Sequence, residues 1–164
     1  MTAAETRAAL RDASLAGDHA AIVALLADDV ILRSPVLKLP FEGKAAVADV
    51  YRAVLDSFMD LEPVAERGDA DGLQMLRFRA RVLGRDAHLV SLLDTDGSGR
   101  IAEVTIFVRP LAAVAAVGAA LGPRLARHNG PWHVLAARLL TRWLPPVIEL
   151  ADPIIPRLIR LRSR

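Results

Sequence analysis

Seven consecutive residues, Leu76-Arg77-Phe78-Arg79-Ala80-Arg81-Val82, alternate strictly between an apolar side chain and an arginine. Successive side chains of an extended chain point to opposite faces, so this run predicts a sheet with one dry face and one wet or partner-facing side. Gly84-Arg85-Asp86 turns the chain into His88–Leu93, and Asp94–Gly99 turns it again into Ile101–Arg109. The second half is therefore an antiparallel meander. The first half reads differently. Ala9, Leu10, Ala13 and Ala16, then Ile22, Val23, Leu25 and Leu26, fall at helical spacing and predict helices over 3–16 and 18–27, with Asp18 capping the second. Val30–Arg33 is a short strand stopped at Ser34-Pro35, because a residue before proline avoids the helical region. A third helix over 44–58 lays Val47, Val50, Tyr51, Val54, Leu55 and Phe58 along one side. Helices followed by a meander define an α+β class.

The 164 residues fit one domain, which at this size buries roughly two-thirds of the surface its unfolded chain exposes. Apolar residues make up 53% but aromatics only 4%, so Ala, Leu and Val must fill most of the core. No cysteine is present, which excludes disulfides, thiolate metal sites and a cysteine nucleophile. A net charge of +2 argues against nucleic acid as a partner, since that function needs a strongly basic face. The N-terminus carries acids and lacks the apolar run of a signal peptide, and no stretch reaches the ~18 uninterrupted apolar residues of a membrane span. A cytoplasmic location is expected.

Pro110 opens an Ala-rich helix reaching about 127, after which Asn129-Gly130-Pro131 breaks the chain. The division drawn here is a domain over 1–127 and a basic, apolar, helical extension over 128–164. Six arginines stand against Glu149 and Asp152 in that extension. Over roughly 132–144 a further helix places Trp132, Leu135, Leu139 and Trp143 on one face. Docking on the chain's own domain or on a second copy is the favoured role of 129–164. Membrane-surface contact, which also uses Trp, Leu and Arg, is the less favoured one, because prolines 145, 146, 153 and 156 cut the segment into short pieces.

The order of signals from Gly17 to Leu55 is helix, Asp28-Asp29, strand, Pro/Gly-punctuated loop, and helix opened at Gly43. It resembles the SnoaL-like and ketosteroid-isomerase-like members of the nuclear transport factor 2 (NTF2)-like superfamily. That resemblance covers about residues 5–109. It implies a cystatin-like cone in which a curved mixed or antiparallel sheet wraps around N-terminal helices and encloses an apolar pocket, here with extra C-terminal helices. It also implies site positions. Where the isomerases place a general-base Asp before Pro-Val, this chain has Ser34 before Pro35-Val36. Their oxyanion tyrosine corresponds to Leu10, their second oxyanion acid to Ser91, and a supporting tyrosine to Tyr51. A hydroxyl cannot accept a carbon-bound proton at neutral pH without a partner base, so ketosteroid isomerisation by the family's own residues is not expected. The carboxylate pair bridged by arginine that limonene-type epoxide hydrolases use is not matched by Arg77, Arg79 and Arg81. The Asp/His pairing of polyketide cyclases finds Asp86 and His88 on one strand face, opposite to that of Ser91.

The positions expected to line a pocket are Leu10, Val50, Tyr51, Leu76, Phe78, Ala80, Val82, Ser91, Val104, Ile106 and Val108. An apolar wall with a few hydroxyls suits a small hydrophobic ligand. Binding of such a molecule is the function expected, without cofactor or metal. The alternative is a SnoaL-like isomerase or cyclase acting on a steroid- or polyketide-like substrate through Tyr51, Ser34, Ser91 and an acid, Asp29 or Asp86. A second alternative is a partner- or membrane-binding module that uses the extension. Asp94-Thr95-Asp96-Gly97-Ser98-Gly99 imitates the start of a calcium loop, but the twelfth position is Thr105 and strands flank it, so a hairpin turn is expected. The four histidines lack metal-ligand spacing. The resemblance further implies a homodimer through the outer sheet face, with Glu103 able to pair with Arg77, Arg79 and Arg81.

Overall fold

The protein's structure is a computed structural model that describes residues 1–69 and 72–125. The expected extension over 128–164, its helix and its docking face lie outside the described residues.

Helix α1 (Ala3–Ala16) opens on a reciprocal cap. Thr2 Oγ1 accepts the Glu5 N–H at 3.2 Å, and the Glu5 carboxylate accepts the Thr2 N–H at 2.8 Å. It ends at Gly17, whose φ of +67° lies in the left-handed region; the Asp18 N–H then bonds Ala13 O at 2.9 Å. Asp18 caps α2 (His19–Leu25) by accepting the Ala21 N–H. Here the structure corrects the expected boundary. Leu26 and Ala27 belong not to the helix but to strand β1 (Leu26–Arg33), because Leu26 is already extended and pairs across the sheet with Ile101. After the two-residue strand β2 (Phe41–Glu42), α3 (Lys44–Leu55) also stops early, at Asp56, whose N–H bonds Arg52 O while the Ser57 N–H bonds Val54 O, both at 3.0 Å. Phe58 then starts β3 (Phe58–Gly68), followed by β4 (Gln74–Val82), β5 (Arg85–Thr95), β6 (Ile101–Arg109) and α4 (Leu111–Leu125).

One six-stranded mixed sheet runs in the order β2-β1-β6-β5-β4-β3, antiparallel except where β1 lies parallel to β6. Registry sets which residues share a face. Leu76 opposes Ser91, Phe78 opposes Leu89, and across the next ladder Ser91 opposes Ile106 and Leu89 opposes Val108. These face the helices. The alternate residues, Arg77, Arg79, His88, Val90, Thr105 and Phe107, face outward, as strict alternation requires. Burial repeats with a period of two along β4: Leu76, Phe78, Ala80 and Val82 are buried, and Arg77, Arg79 and Arg81 are exposed.

Helix α4 covers the other end of the dry face with alanines 112, 113, 116 and 120 buried, and these small side chains let it lie close. At the β5–β6 hairpin Asp96 Oδ1 accepts the Ser98 N–H, the Ser98 hydroxyl and the Arg100 N–H at 2.7–3.0 Å. Those bonds hold its carboxyl below the usual range. Its charge is engaged in closing the turn.

Candidate functional site

Between the dry face and the helices lies a cavity of about 370 Å³, within the range of small-molecule sites. Close-packed interiors hold few voids larger than a water molecule, so the sheet and helices do not simply fill one another here. Four regions build the wall. From the sheet come Leu32, Phe78, Leu89, Ser91, Ile106 and Val108; from α3 and the start of β3 come Val50, Tyr51, Val54, Leu55, Phe58, Asp60 and Leu61. The last turn of α1 contributes Ser14 to Gly17, and Val117 and Leu121 of α4 close the side opposite the sheet. Ser34 and Pro35 at the end of β1 complete the lining.

Of the residues singled out from the sequence, Val50, Tyr51, Phe78, Ser91, Ile106, Val108 and Ser34 line this cavity. Leu10, Leu76, Ala80, Val82 and Val104 do not. They are buried in the core. On α1 the cavity is lined not at Leu10 but one turn later, by Ser14 to Gly17, and the Ser14 hydroxyl donates to Leu10 O at 2.6 Å. Asp29 is an exposed residue of β1 away from the cavity. Asp86 is also exposed, on the outer face beside Arg81 at 3.8 Å. Neither acid meets Tyr51, Ser34 or Ser91 in a common site. Glu103 does not meet the arginine row either: its carboxylate takes a 2.7 Å bond from Arg33 Nε, because β1 lies beside β6 whereas β4 lies two strands away.

The polar groups differ in what they have left to offer. Ser34 Oγ accepts the N–H groups of Val36 and Leu37 at 3.0 and 3.3 Å, so its oxygen is occupied in shaping the β1–β2 loop. Tyr51 is 8% exposed, and burial raises its phenol above the ordinary 10.0. At neutral pH it is a protonated hydrogen-bond donor. Among the described residues neither the Tyr51 hydroxyl nor Ser91 Oγ has a hydrogen-bond partner, although every side-chain polar atom fully sealed from solvent is satisfied. The Tyr51 oxygen is therefore reached by solvent within its otherwise buried setting.

Sequence reading missed Asp60, the one charged residue of the lining among the described residues. Phe58 lines the cavity and Met59 is 67% exposed, after which both Asp60 and Leu61 line it. The pairing of β3 with β4 shifts register between Met59 and Glu62, and Asp60 adopts a left-handed φ of +53°. Such a bulge re-aims a side chain. No periodic pattern announces it. The Asp itself, which tolerates the left-handed region better than most residues, was the available signal.

An α+β cone with an apolar cavity between its sheet and helices defines the class. In known structures the same architecture recurs in a steroid delta-isomerase from Pseudomonas aeruginosa, 31% identical, with a TM-score of 0.72 over 79% of this chain and 95% of that one. A bacterial protein with a cystatin-like fold from Silicibacter pomeroyi is 28% identical, with a TM-score of 0.69 over 81% of this chain and 92% of that one. An epoxide hydrolase/cyclase-like enzyme involved in pyran ring formation in polyether salinomycin shares the fold at 21% identity, with a TM-score of 0.56 over 65% and 90% of the two chains. No protein-family model and no curated protein matches the sequence. The chain belongs to the NTF2-like superfamily, in its SnoaL-like and ketosteroid-isomerase-like branch. Its relatives there include isomerase and cyclase folds.

Proposed function

We propose that the protein binds a small hydrophobic molecule in this cavity, in the cytoplasm. The observation that carries the reading is an apolar hollow whose buried donor, the Tyr51 hydroxyl, has no partner among the described residues. That hydroxyl is reached by solvent, and a ligand oxygen would replace water as its acceptor, a net gain of about 1 kcal/mol. Tyr51 and Ser91 can each donate to a carbonyl or hydroxyl, while Val50, Phe78, Ile106 and Val108 exclude water from the remainder. Among the described residues no helix is long and apolar enough to cross a membrane. Native mass spectrometry of the purified protein, followed by organic extraction, tests the reading. An apolar molecule bound one per chain is expected; one that stays bound when Val108→Trp fills the hollow would contradict it.

A second reading, isomerase or cyclase chemistry, is favoured by the 31% identity to a steroid delta-isomerase. Tyr51 would then stabilise a developing oxyanion. Ser34 is poorly placed to serve as base, since its oxygen already accepts two backbone N–H groups. Double-bond migration in a β,γ-unsaturated ketosteroid, followed by the absorbance of the conjugated product, checks it. Turnover retained in full by Tyr51→Phe would remove the role of that phenol.

We also propose that the outer sheet face joins two copies of the chain. Phe107 is 54% exposed there, opposite Val90 and near Arg77 and Arg79. An exposed aromatic among arginines is the composition expected of an interface centre.

A further inference from the structure

The cavity is electrically one-sided, and this inference rests on reading it as a binding site. Its single charged lining residue among the described residues is Asp60; no Lys, Arg or His joins the wall. The last turn of α1, Ser14 to Gly17, lines the same hollow and presents the negative end of the helix dipole. That turn holds no basic residue to offset it. The Asp60 carboxylate has no hydrogen bond among the described residues, and its side chain is 68% exposed, so it sits at the rim rather than in the depth. Its ion-pair partner, Arg81 Nη1, stands 3.9 Å away, beyond hydrogen-bond reach, and is shared with Asp86, 3.8 Å from Arg81 Nε. Arg81 is itself 53% exposed, so water screens it.

The backbone holds Asp60 there at a cost. Among the described residues its φ of +53° is one of two left-handed values at non-glycine positions, the other being Leu83 in the β4–β5 turn. At the register break this conformation brings two successive residues, Asp60 and Leu61, to the cavity wall. A carboxylate is an acceptor only, so what it can bind at this rim is a donor, and a charged donor best.

We infer that Asp60 makes the cavity selective for an apolar molecule carrying an amine at its outer end. The apolar body fills the hollow, an acceptor oxygen on it is optional to Tyr51 and Ser91, and the ammonium meets Asp60 at the rim. A carboxylate or sulfate in the same place would face Asp60 and the carbonyl end of α1 together and be disfavoured.

The test compares three naphthalene probes of similar size, 1-naphthylmethylamine, 1-naphthalenemethanol and 1-naphthoate. Each is titrated calorimetrically into the full chain at pH 7 and low salt, and into Asp60→Asn, which keeps a side chain tolerant of the left-handed backbone. The amine should bind the unaltered protein about fivefold or more tighter than the acid, the scale of a partly exposed ion pair. Asp60→Asn should bring the two within about twofold of each other, and the alcohol should bind both proteins alike. Equal affinity for amine and acid, or a preference that survives Asp60→Asn, overturns the inference while binding of the alcohol leaves the cavity reading intact. Failure of all three probes to bind either protein contradicts that reading and the inference together.

Discussion

A phenol buried in an apolar wall stays neutral because its ionised form would lose most of its hydration. Tyr51 is the chain's single tyrosine, so its ionisation can be followed directly by ultraviolet absorbance as pH is raised. Its folded-state pKa lies above the ordinary 10.0 that applies in the unfolded chain. The folded state therefore keeps a proton that the unfolded state loses, and stability is full below about pH 10 and falls as pH climbs beyond it. Unfolding in urea across that range should show the decline, and Tyr51→Phe should lessen it. At neutral pH the same substitution should leave stability nearly unchanged, since the hydroxyl has no protein partner to lose. It should weaken a carbonyl-bearing ligand by about 1 kcal/mol, or about fivefold, measured by calorimetry. A marked loss of stability in Tyr51→Phe would mean that the hydroxyl is bonded within the protein. Tyr51 and Ser91 were legible from the sequence because they fall on regular elements whose period fixes their direction. Ser14 lay one helical turn from the expected Leu10, an error that spacing alone cannot correct. Asp60 escaped a reading by period because a bulge removes the periodicity on which such reading depends, leaving only its residue type as a signal.

At the scale of elements, turn chemistry sets where each helix stops. Gly17 carries α1 into the left-handed region, and a Cβ there would meet nothing within 4 Å. The cost of Gly17→Ala is then conformational alone, about 1 kcal/mol, readable as a lower urea midpoint with an unchanged slope. A neutral result would show that the turn can relax at no cost. The meander and its two faces could be read from residues 76–109 because alternation is a strong signal. The start of β1 could not, since Leu26 and Ala27 extend an apolar helical pattern equally well. Long-range pairing with Ile101 decides in favour of the strand, and no local propensity contains that term. The pairing of Glu103 with Arg33 rather than with the arginine row has the same origin, since strand order is a property of the whole sheet.

For the whole molecule, the two faces of one sheet divide the work. The inner face, with α1, α3 and α4, encloses the cavity; the outer face leaves Phe107 exposed among arginines. If that face joins two copies, Phe107→Asp should convert the dimer to a monomer in light scattering without loss of secondary structure. A monomer before substitution would exclude the outer-face dimer. Family and fold were readable from order and landmarks, but the cavity's extent was not. Five of the expected lining residues, Leu10, Leu76, Ala80, Val82 and Val104, proved to be core, because this cavity opens where α3, α4 and the end of α1 stand off the sheet. The central claim is that this gap is a binding site. Native mass spectrometry of the full chain and of Val108→Trp, after incubation with neutral two- to four-ring probes, tests it most directly. One probe bound per unaltered chain and none to a folded Val108→Trp is the expected result. Equal occupancy of both proteins, or no binding by the unaltered chain, would contradict it.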